Sequence, residues 1–441
     1  MDSWTTGKRG PRGGSAVDVT PRGTDGTEIR RGGYARPVTE CTPEAERAGP
    51  GAGGSTRPAL RRTDGGRLTG RIRPPVPGRD STGRVVVVSA DIGAGHDAAA
   101  DELSHRLAGR GLRVDRLNFL SLLPRPLNTT VRETYRGLLR WLPWCYDALF
   151  SATGRSPSSV ELLRATLRPA VRRMLGRLPT DTRAVVTTFP FANQLLGPMR
   201  TAGLITAPLV TYVTDFAVHP TWISHGVDLY CVVHELSRQQ AVAGGAGPVR
   251  VVRPLVNSRF AAPAELTARA ARQRFGLPEQ ARLALIVAGS WGIGDVARTA
   301  AEVLATGCAE PVVVCGRNER LYRRLRRFPG HVLGWVDDMP TLMRAADVVV
   351  ENAGGLTCQE ALASGRPTIT YRPIPGHGRA NAAVLSRSAL TSYIASPQRL
   401  RPTLTELMAR AGDAGAGPDD RVDMASVVAE AIPPVGWGWP G

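Results

Sequence analysis

The chain of 441 residues lacks the sequence features of several protein classes. Its six cysteines are scattered and form no CxxC pair, which argues against a disulfide framework or a zinc site and favours reduced thiols in a cytosolic protein. No apolar run is long enough to span a bilayer, and the amino-terminal stretch lacks the apolar segment of a signal peptide. Acidic residues are also few, since 38 Asp and Glu stand against 56 Lys and Arg. The formal net charge of +18 would attract polyanions such as nucleotides, nucleic acid or an anionic membrane face.

Composition separates an amino-terminal extension from the rest of the chain. Residues 1–83 are rich in Gly, Arg, Pro, Thr and Asp and nearly free of large apolar side chains. Because they cannot bury enough surface to offset the entropy of ordering, we expect them to be disordered, as an inert extension or as a basic tether to a membrane. The remaining length suits two domains, which we place at 84–260 and 261–400, before terminal helices and a tail at 401–441. The basic excess continues into the folded part, and arginine far outnumbers lysine, as a GC-rich coding bias produces. We therefore expect no nucleic-acid binding.

A glycine-bearing strand–loop–helix stretch is the clearest signal in the chain. Residues 346–350, ADVVV, predict a short buried strand, and Gly354 and Gly355 let the backbone turn tightly after it. Thr357 stands at the predicted helix start, with Glu360 three residues later in capping-box spacing. Free N–H groups and the positive end of the helix dipole make such a start suitable for a phosphate. An ordinary strand–loop–helix connection is the alternative for the glycine pair alone.

Two more polar loops follow predicted strands of the same half. Residues 373–381, PIPGHGRAN, come after the strand at 368–371, and residues 289–294, GSWGIG, come after the strand at 282–288. Loops at the carboxyl ends of neighbouring parallel strands form a ligand crevice. The glycines of 289–294 precede a helix and also suit a phosphate. The regular alternation of strand and helix predicts a parallel sheet covered on both faces.

The first half carries a glycine loop of its own. Residues 84–89, RVVVVS, predict a strand that leads through ADIGAGH at 90–96 into a helix at 97–109 and a second strand at 112–117. The glycine spacing is not the dinucleotide fingerprint, and no acidic residue follows the second strand. His96 precedes the helix, where an imidazole near its working pKa could help deprotonate an acceptor hydroxyl. A helix-start histidine bonded to backbone is the alternative.

A basic and aromatic segment follows at 118–154. Arginines at 132, 136 and 140 alternate there with aromatic residues that include Trp141 and Trp144. Such a pattern fits an amphipathic surface that lies in a membrane interface. An ordinary core is the alternative. Residues 160–178 then predict one helix with a solvated arginine face.

The glycine loops resemble the nucleotide-sugar site of GT-B glycosyltransferases, most closely the monogalactosyldiacylglycerol synthase and diacylglycerol glucosyltransferase group, and more distantly the glucosaminyltransferase of peptidoglycan synthesis. The group's GGxTxxEA pattern is intact at 354–361, GGLTCQEA. Its PGQExxN pattern departs here, because His377 stands at the Gln position and Gly378 at the Glu position. The resemblance implies that Glu360 holds the ribose hydroxyls, that backbone around Val336 meets the uracil ring, and that residue 377 touches the donor sugar. The departure leaves the nucleotide in place and puts the identity of the sugar in question.

The first half is similar to the same group. Gly93 and Gly95 flank Ala94 in a loop that resembles its Gly-Gly-Gly-His loop, and residues 214–222, TDFAVHPTW, resemble its acceptor side. Asp215 could orient His96 or bind an acceptor hydroxyl, and His219 could line the acceptor cleft. Capping a loop is the alternative for both. The resemblance implies that the segment with Trp141 and Trp144 meets the bilayer and admits a lipid acceptor.

These observations predict an α/β protein of the GT-B type, with two Rossmann-like domains facing across a cleft. The expected activity is that of an inverting transferase that moves a hexose from a UDP-sugar to a lipid such as diacylglycerol, as a peripheral protein on the inner face of the plasma membrane. No cofactor or metal is needed, because helix dipoles and backbone donors can carry the leaving-group charge. The alternatives are a transferase for a soluble natural product, a UDP-sugar 2-epimerase-like enzyme, and a non-enzymatic membrane or nucleic-acid binder that depends on residues 1–83. The predicted catalytic residues are His96 and Asp215, the acceptor-side residues are Gly93, Gly95, Trp141, Trp144 and His219, and the donor-site residues are Gly289, Ser290, Gly292, Val336, Gly354, Gly355, Thr357, Glu360, His377 and Asn381.

Overall fold

The computed structural model describes residues 83–262, 266–410 and 419–433. The predicted disorder of the extension and the Gly-Trp-Gly-Trp tail lie outside these residues. In the described ranges, no helix combines the length and the apolar character that crossing a bilayer requires.

The first half is built on a six-stranded parallel sheet. Its strands are β1 (Arg84–Ser89), β2 (Arg113–Asn118), β3 (Thr182–Thr187), β4 (Leu209–Tyr212), β5 (Leu229–Val232) and β6 (Val249–Val251), in the order β2-β1-β3-β4-β5-β6. The valines at 85–88 of β1 are buried on both faces, as a β-branched central strand of a parallel sheet requires. The order reverses direction at β1, so the glycine loop after β1 lies at a topological switch point, where α/β sheets bind ligands.

Eight helices belong to this part of the chain: α1 (Gly95–Gly109), α2 (Leu127–Trp141), α3 (Pro143–Arg155), α4 (Pro157–Leu167), α5 (Ala170–Leu175), α6 (Pro190–Thr201), α7 (Glu235–Ala243) and α8 (Ser258–Ala261). The prediction of one helix over 160–178 was wrong. The chain forms α4 and α5 instead, with Pro169 as the N-cap of α5. A proline has no N–H for an intrahelical hydrogen bond, so the break falls there.

The second half repeats the architecture. Its strands are β7 (Leu283–Val287), β8 (Glu310–Val314), β9 (His331–Leu333), β10 (Val348–Glu351), β11 (Thr368–Tyr371) and β12 (Ser392–Ile394), all parallel, in the order β12-β11-β10-β7-β8-β9. Its helices are α9 (Ala268–Arg274), α10 (Val296–Ala305), α11 (Glu319–Leu325), α12 (Met339–Ala345), α13 (Leu356–Ala363), α14 (His377–Arg387) and α15 (Leu400–Arg410). The switch point lies between β7 and β10, the strands that carry the predicted phosphate loops. The predicted pair of Rossmann-like units is confirmed.

The last helix returns to the first half. While α15 packs in the core of the second sheet, α16 (Met424–Ala431) buries Met424, Val427 and Val428 in the same core as Val85 and Val87 of β1. Arg106 of α1 fixes this return by donating to Asp423 at 2.9 Å and to the carbonyl oxygen of Val256 at 2.9 Å. The chain therefore passes between the halves twice.

The two halves share buried apolar surface. Cys358 of α13 and Val384 and Leu385 of α14 belong to the core that contains β1 and α1. Helices α13 and α14 belong to the predicted donor loops around 354–357 and 373–381, and both helices thus pack directly against the first half.

Candidate functional site

The two glycine loops that the sequence singles out lie next to each other. A Cβ built on Gly95, at the start of α1, would lie 3.7 Å from the Cβ of Leu356, the first residue of α13. The loop that carries His96 and the loop that carries Thr357 therefore border one crevice between the halves.

His96 is held in one orientation by backbone. Its Nδ1 lies 2.6 Å from the carbonyl oxygen of Thr188, and the hydroxyl of Thr214 lies 3.2 Å from the same nitrogen. Since a carbonyl oxygen only accepts, Nδ1 carries the proton and Nε2 is the unprotonated nitrogen of the neutral ring. Among the described residues, Nε2 has no hydrogen-bond partner. Burial lowers the pKa of His96 below its usual value, although the charge of Asp215 opposes this.

Asp215 does not orient His96 through a hydrogen bond. Its carboxylate accepts from the indole N–H of Trp222 at 3.3 Å and from the side-chain amide of Asn381 at 3.1 Å. Its charge nevertheless acts on the ionisation of five groups around the crevice: His96, His219, His377, Tyr135 and Tyr146. Asp215 thus influences histidines and tyrosines from both halves.

The loop after β10 is held from behind by a buried carboxylate. Glu351 accepts hydrogen bonds from the N–H groups of Ala353 and Gly354 and from the hydroxyl of Thr370. Burial raises the pKa of Glu351, and these hydrogen bonds oppose the rise. Gly354 has a φ of 63°, and a Cβ there would lie only 2.5 Å from the Cβ of Asn381, so the turn requires glycine.

The capping box predicted between Thr357 and Glu360 was wrong. The glycine turn makes Gly355 the N-cap, without a side-chain cap, and α13 begins at Leu356. The N–H groups of Gly355, Leu356 and Thr357 have no acceptor within the described ranges, so they remain available to a ligand at the positive end of the helix.

Glu360 is a carboxyl group without a hydrogen-bond partner in the described part of the chain. Burial raises its pKa to about 8. A desolvated carboxyl beside free backbone N–H groups can bind hydroxyl groups, since it accepts hydrogen bonds in either form and donates one when protonated.

The loop after β7 is a closed turn joined to the loop after β10. Gly289 and Gly292 both have positive φ, and a Cβ on Gly292 would lie 2.7 Å from the carbonyl oxygen of Cys315. The carbonyl oxygen of Ser290 accepts from the N–H of Arg317 at 2.8 Å. Asn352 donates to the carbonyl oxygen of Ile293 at 2.8 Å, which ties the two loops together. Val336 is partly buried and packs against the hydrophobic core that contains Val287 of β7 and Val314 of β8.

His377 contacts α3 of the first half. The hydroxyl of Tyr146 lies 2.9 Å from its Nδ1, and burial lowers its pKa. Asp147 of α3 accepts from the N–H of Gly376 at 2.8 Å and forms an ion pair with Arg379 at 2.9 Å. A Cβ on Gly378 would lie 2.6 Å from a side-chain carbon of Ile374, so this arrangement has no room for a glutamate at that position.

Two predicted site residues are fully engaged inside the protein. Asn381 is 0% exposed, and its side chain bonds to Asp215, to the carbonyl oxygen of Ala353 and to the N–H of Ala217, so it offers no free group to a donor, contrary to expectation. His219 accepts from the N–H of Thr221 at Nδ1, while its Nε2 lies 3.0 Å from the carbonyl oxygen of Phe150. This matches the loop-capping alternative for His219.

The basic and aromatic segment divides between core and surface. Tyr146 is 8% exposed and faces the second half, whereas Trp141 and Trp144 are 62% and 69% exposed. Leu142 and Leu149 are also largely exposed. The guanidinium groups of Arg140 and Arg320 lie over the ring of Trp141 at 5.0 and 5.6 Å. The exposed residues thus fit the predicted amphipathic surface, and Tyr146 fits the alternative of an ordinary core.

A basic cavity of about 620 Å³ lies under this exposed turn. It shares the loops at 292–294 and 373–375 with the crevice but includes neither His96 nor Glu360. Its charged lining residues are Arg140, Arg320, Arg324, Arg372, Arg379 and Asp295. Arg372 and Arg379 are ion-paired with Glu302 and Asp147, which leaves the other three arginines without a carboxylate partner in the described ranges.

The chain is similar to solved GT-B structures along most of its length. It matches MurG of Acinetobacter baumannii with a TM-score of 0.50 at 16% identity, over 79% of this chain and 99% of that one. It matches Arabidopsis thaliana UGT89C1 complexed with quercetin with a TM-score of 0.51 at 13% identity, over 80% of this chain and all of the other. At these identities the likeness shows the fold, and the fold is GT-B.

Each half of the chain matches a known protein family. Residues 96–252 match the family described as monogalactosyldiacylglycerol (MGDG) synthase, and residues 283–411 match the glycosyltransferase family 28 C-terminal domain. The chain thus combines a region similar to the first family with a region similar to the second.

The chain is also similar to sequence relatives with a described activity. The processive diacylglycerol beta-glucosyltransferase of Bacillus pumilus is 30% identical over 207 residues, 45% of this chain and 53% of that protein. The protein of the same description from Bacillus subtilis is 26% identical over 246 residues, 54% of this chain and 64% of that protein. These matches span between about half and two thirds of the length of the relatives.

Proposed function

We propose that the chain is an inverting hexosyltransferase that moves a hexose from a UDP-sugar to a lipid acceptor such as diacylglycerol. The observation that carries the proposal is the meeting of the His96 loop and the start of α13 at one crevice. One side offers a nitrogen base, and the other offers backbone N–H groups and a carboxyl for a nucleotide diphosphate.

His96 is the proposed general base. Its Nδ1–H is committed to Thr188, so Nε2 takes the proton from the acceptor hydroxyl. The lowered pKa of His96 keeps the ring neutral near pH 7, and the charge of Asp215 stabilises the imidazolium as it forms. The acceptor oxygen then bonds to the anomeric carbon on the face opposite the diphosphate. The bond from that carbon to the leaving oxygen breaks, and UDP departs with the electron pair.

The second half holds the donor. Glu360 binds the ribose hydroxyls, and the diphosphate lies on the free N–H groups at the start of α13, with the loop at 289–294 beside it. Backbone donors and the helix dipole carry the developing negative charge, so the reaction is proposed to be independent of metal. His377, held by Tyr146, is the residue that we propose contacts the sugar.

The exposed turn between α2 and α3 is the proposed membrane contact. Trp141, Leu142 and Trp144 supply apolar and interfacial side chains, and the unpaired arginines at 140, 320 and 324 face an anionic surface. The protein would then bind the inner face of the plasma membrane peripherally and take its acceptor from the bilayer.

A transfer assay tests this function. The full chain is incubated with vesicles of phosphatidylglycerol and diacylglycerol and, in separate reactions, with labelled UDP-glucose, UDP-galactose or UDP-GlcNAc. Label in the lipid fraction as a hexosyl diacylglycerol is the expected result. Transfer only to soluble aglycones would replace the lipid acceptor, and conversion of UDP-GlcNAc in the absence of any acceptor would make the protein an epimerase.

A further inference from the structure

Two buried amide side chains of the second half hold a loop of the first half. The loop is Thr214–Ala217, which follows β4 and carries Asp215. The side chains belong to Gln359 of α13 and Asn381 of α14, which are 2% and 0% exposed. Both are uncharged, and both have their polar atoms engaged across the boundary between the halves.

Gln359 holds the first residue of this loop. Its amide N–H donates to the carbonyl oxygen of Thr214 at 2.7 Å, and its oxygen accepts from the hydroxyl of Tyr212 at 3.2 Å. The Tyr212 hydroxyl in turn accepts from the N–H of Leu255, in the chain that leads to the second half. The hydroxyl of Thr214 lies 3.2 Å from Nδ1 of His96, so Gln359 lies two contacts from the proposed base.

Asn381 holds the rest of the loop. Its oxygen accepts from the N–H of Ala217 at 2.8 Å, and its amide donates to the carboxylate of Asp215 at 3.1 Å and to the carbonyl oxygen of Ala353 at 3.0 Å. Ala353 belongs to the donor loop after β10. One side chain thus bonds to the donor loop and to the loop that carries Asp215.

We propose that Asn381 and Gln359 are positioning residues that set the acceptor-side loop Thr214–Ala217, and with it Asp215 and His96, in register with the donor-binding helices. The assignment rests on the proposed transferase function for Asp215 and His96. Both amides are buried and engaged by protein groups, so we expect their loss to change turnover far more than nucleotide affinity. Misplacement of a reacting group by about 1 Å lowers rates by about 100-fold.

Asn381→Asp separates this role from simple stabilisation. The new carboxylate still accepts from Ala217 but faces Asp215 at close range, where the two cannot both ionise freely and come to share a proton as the pH falls. The shared proton restores the lost hydrogen bond to Asp215, whereas the one to the carbonyl oxygen of Ala353 stays lost. The groups that face this pair are His96, His219, His377, Tyr135 and Tyr146, and all are common to the variant and the parent protein.

The measured quantity is the ratio of kcat for Asn381→Asp to kcat for the parent protein, from pH 8 down to pH 6. We expect a ratio near 0.01 at pH 8 that rises about tenfold at pH 6. Asn381→Ala, which has no proton to share, should give a low ratio that does not change with pH. Gln359→Met should lower kcat about as much as Asn381→Ala. For all three variants, the Kd of UDP by calorimetry should stay within about threefold of the parent value.

Two results would overturn the assignment. If UDP affinity falls in proportion to kcat, the two amides belong to the donor site. If the kcat ratio for Asn381→Asp does not change with pH, the amides only contribute to packing. Hydrogen exchange of the Ala217 amide gives a readout that needs no turnover. It should be protected in the parent protein and in Asn381→Asp and exposed in Asn381→Ala, and equal protection in all three would refute the contact. If the parent protein transfers no sugar but shows this exchange pattern, the proposed transferase function is wrong, whereas the proposed contact between Asn381 and the loop Thr214–Ala217 is retained.

Discussion

Gly354→Ala tests the geometry of the donor loop more directly than any change of a charged residue. The substitution places a side chain at a φ of 63°, which costs an L-residue about 1–2 kcal/mol. The new Cβ would also lie 2.5 Å from the Cβ of Asn381 and 3.0 Å from a methyl carbon of Leu385, and overpacking of this kind costs about 1–3 kcal/mol. We therefore expect Gly354→Ala to lower the free energy of unfolding by about 2–5 kcal/mol.

Gly203→Ala is the matched control. Gly203 has a similar φ of 72°, but a Cβ there meets nothing within 4 Å, so only the backbone penalty of about 1–2 kcal/mol applies. Urea unfolding followed by tryptophan fluorescence measures both variants. Because the added Cβ distorts the donor loop itself, next to the free N–H groups at the start of α13, Gly354→Ala should also bind UDP more weakly, whereas Gly203→Ala should not. Equal losses of stability in the two variants would show that the close approach of Gly354 to Asn381 does not exist.

Three further predictions concern the crevice and the exposed turn. His96→Ala should lower kcat by about 10²–10⁴-fold while the Kd of UDP by calorimetry stays nearly constant, and an equal loss of both would remove His96 from the role of base. Glu360→Gln should flatten the pH dependence of Tm between pH 5 and pH 8. The unfolded carboxyl ionises near its ordinary pKa of 4.5 while the folded one stays protonated up to about 8, so the parent protein loses stability relative to the variant as the pH rises through this window, and parallel Tm profiles would contradict the raised pKa. The double substitution of Trp141 and Trp144 by serine should reduce sedimentation with phosphatidylglycerol vesicles and leave Tm nearly unchanged, because both indoles are mostly exposed, and unchanged sedimentation would place the membrane contact elsewhere.

The fold could be predicted because its signals are local. Short runs of β-branched residues such as Val85–Val88 and Val348–Val350 favour buried strands of parallel sheets, and the glycines behind them indicate where each strand ends. The same strands and glycines brought the loops near His96 and Thr357 to the carboxyl ends of two sheets, where they meet.

The contacts within the crevice could not be predicted in this way. The partner of His96 is the backbone carbonyl of Thr188, and a carbonyl carries no sequence signal. The capping box failed because the glycine turn starts α13 at Leu356 and makes Gly355 the N-cap. Asn381 matched a family motif, but its partners lie in the other half, 164 and 166 residues away along the chain. Glu351 had a detectable signal, since an acidic residue at the end of an apolar strand calls for donors, and the N–H groups of the next turn supply them.

The return of α16 to the first sheet has a consequence for biosynthesis. As translation proceeds, the surface of α1 and β3 that α16 will cover stays exposed until α16, the last described helix, leaves the ribosome. The hydrophobic core of the first half therefore remains incomplete until the whole second half has been synthesised. A fragment ending near residue 260 should aggregate when expressed alone and should be rescued by a co-expressed fragment that contains α16.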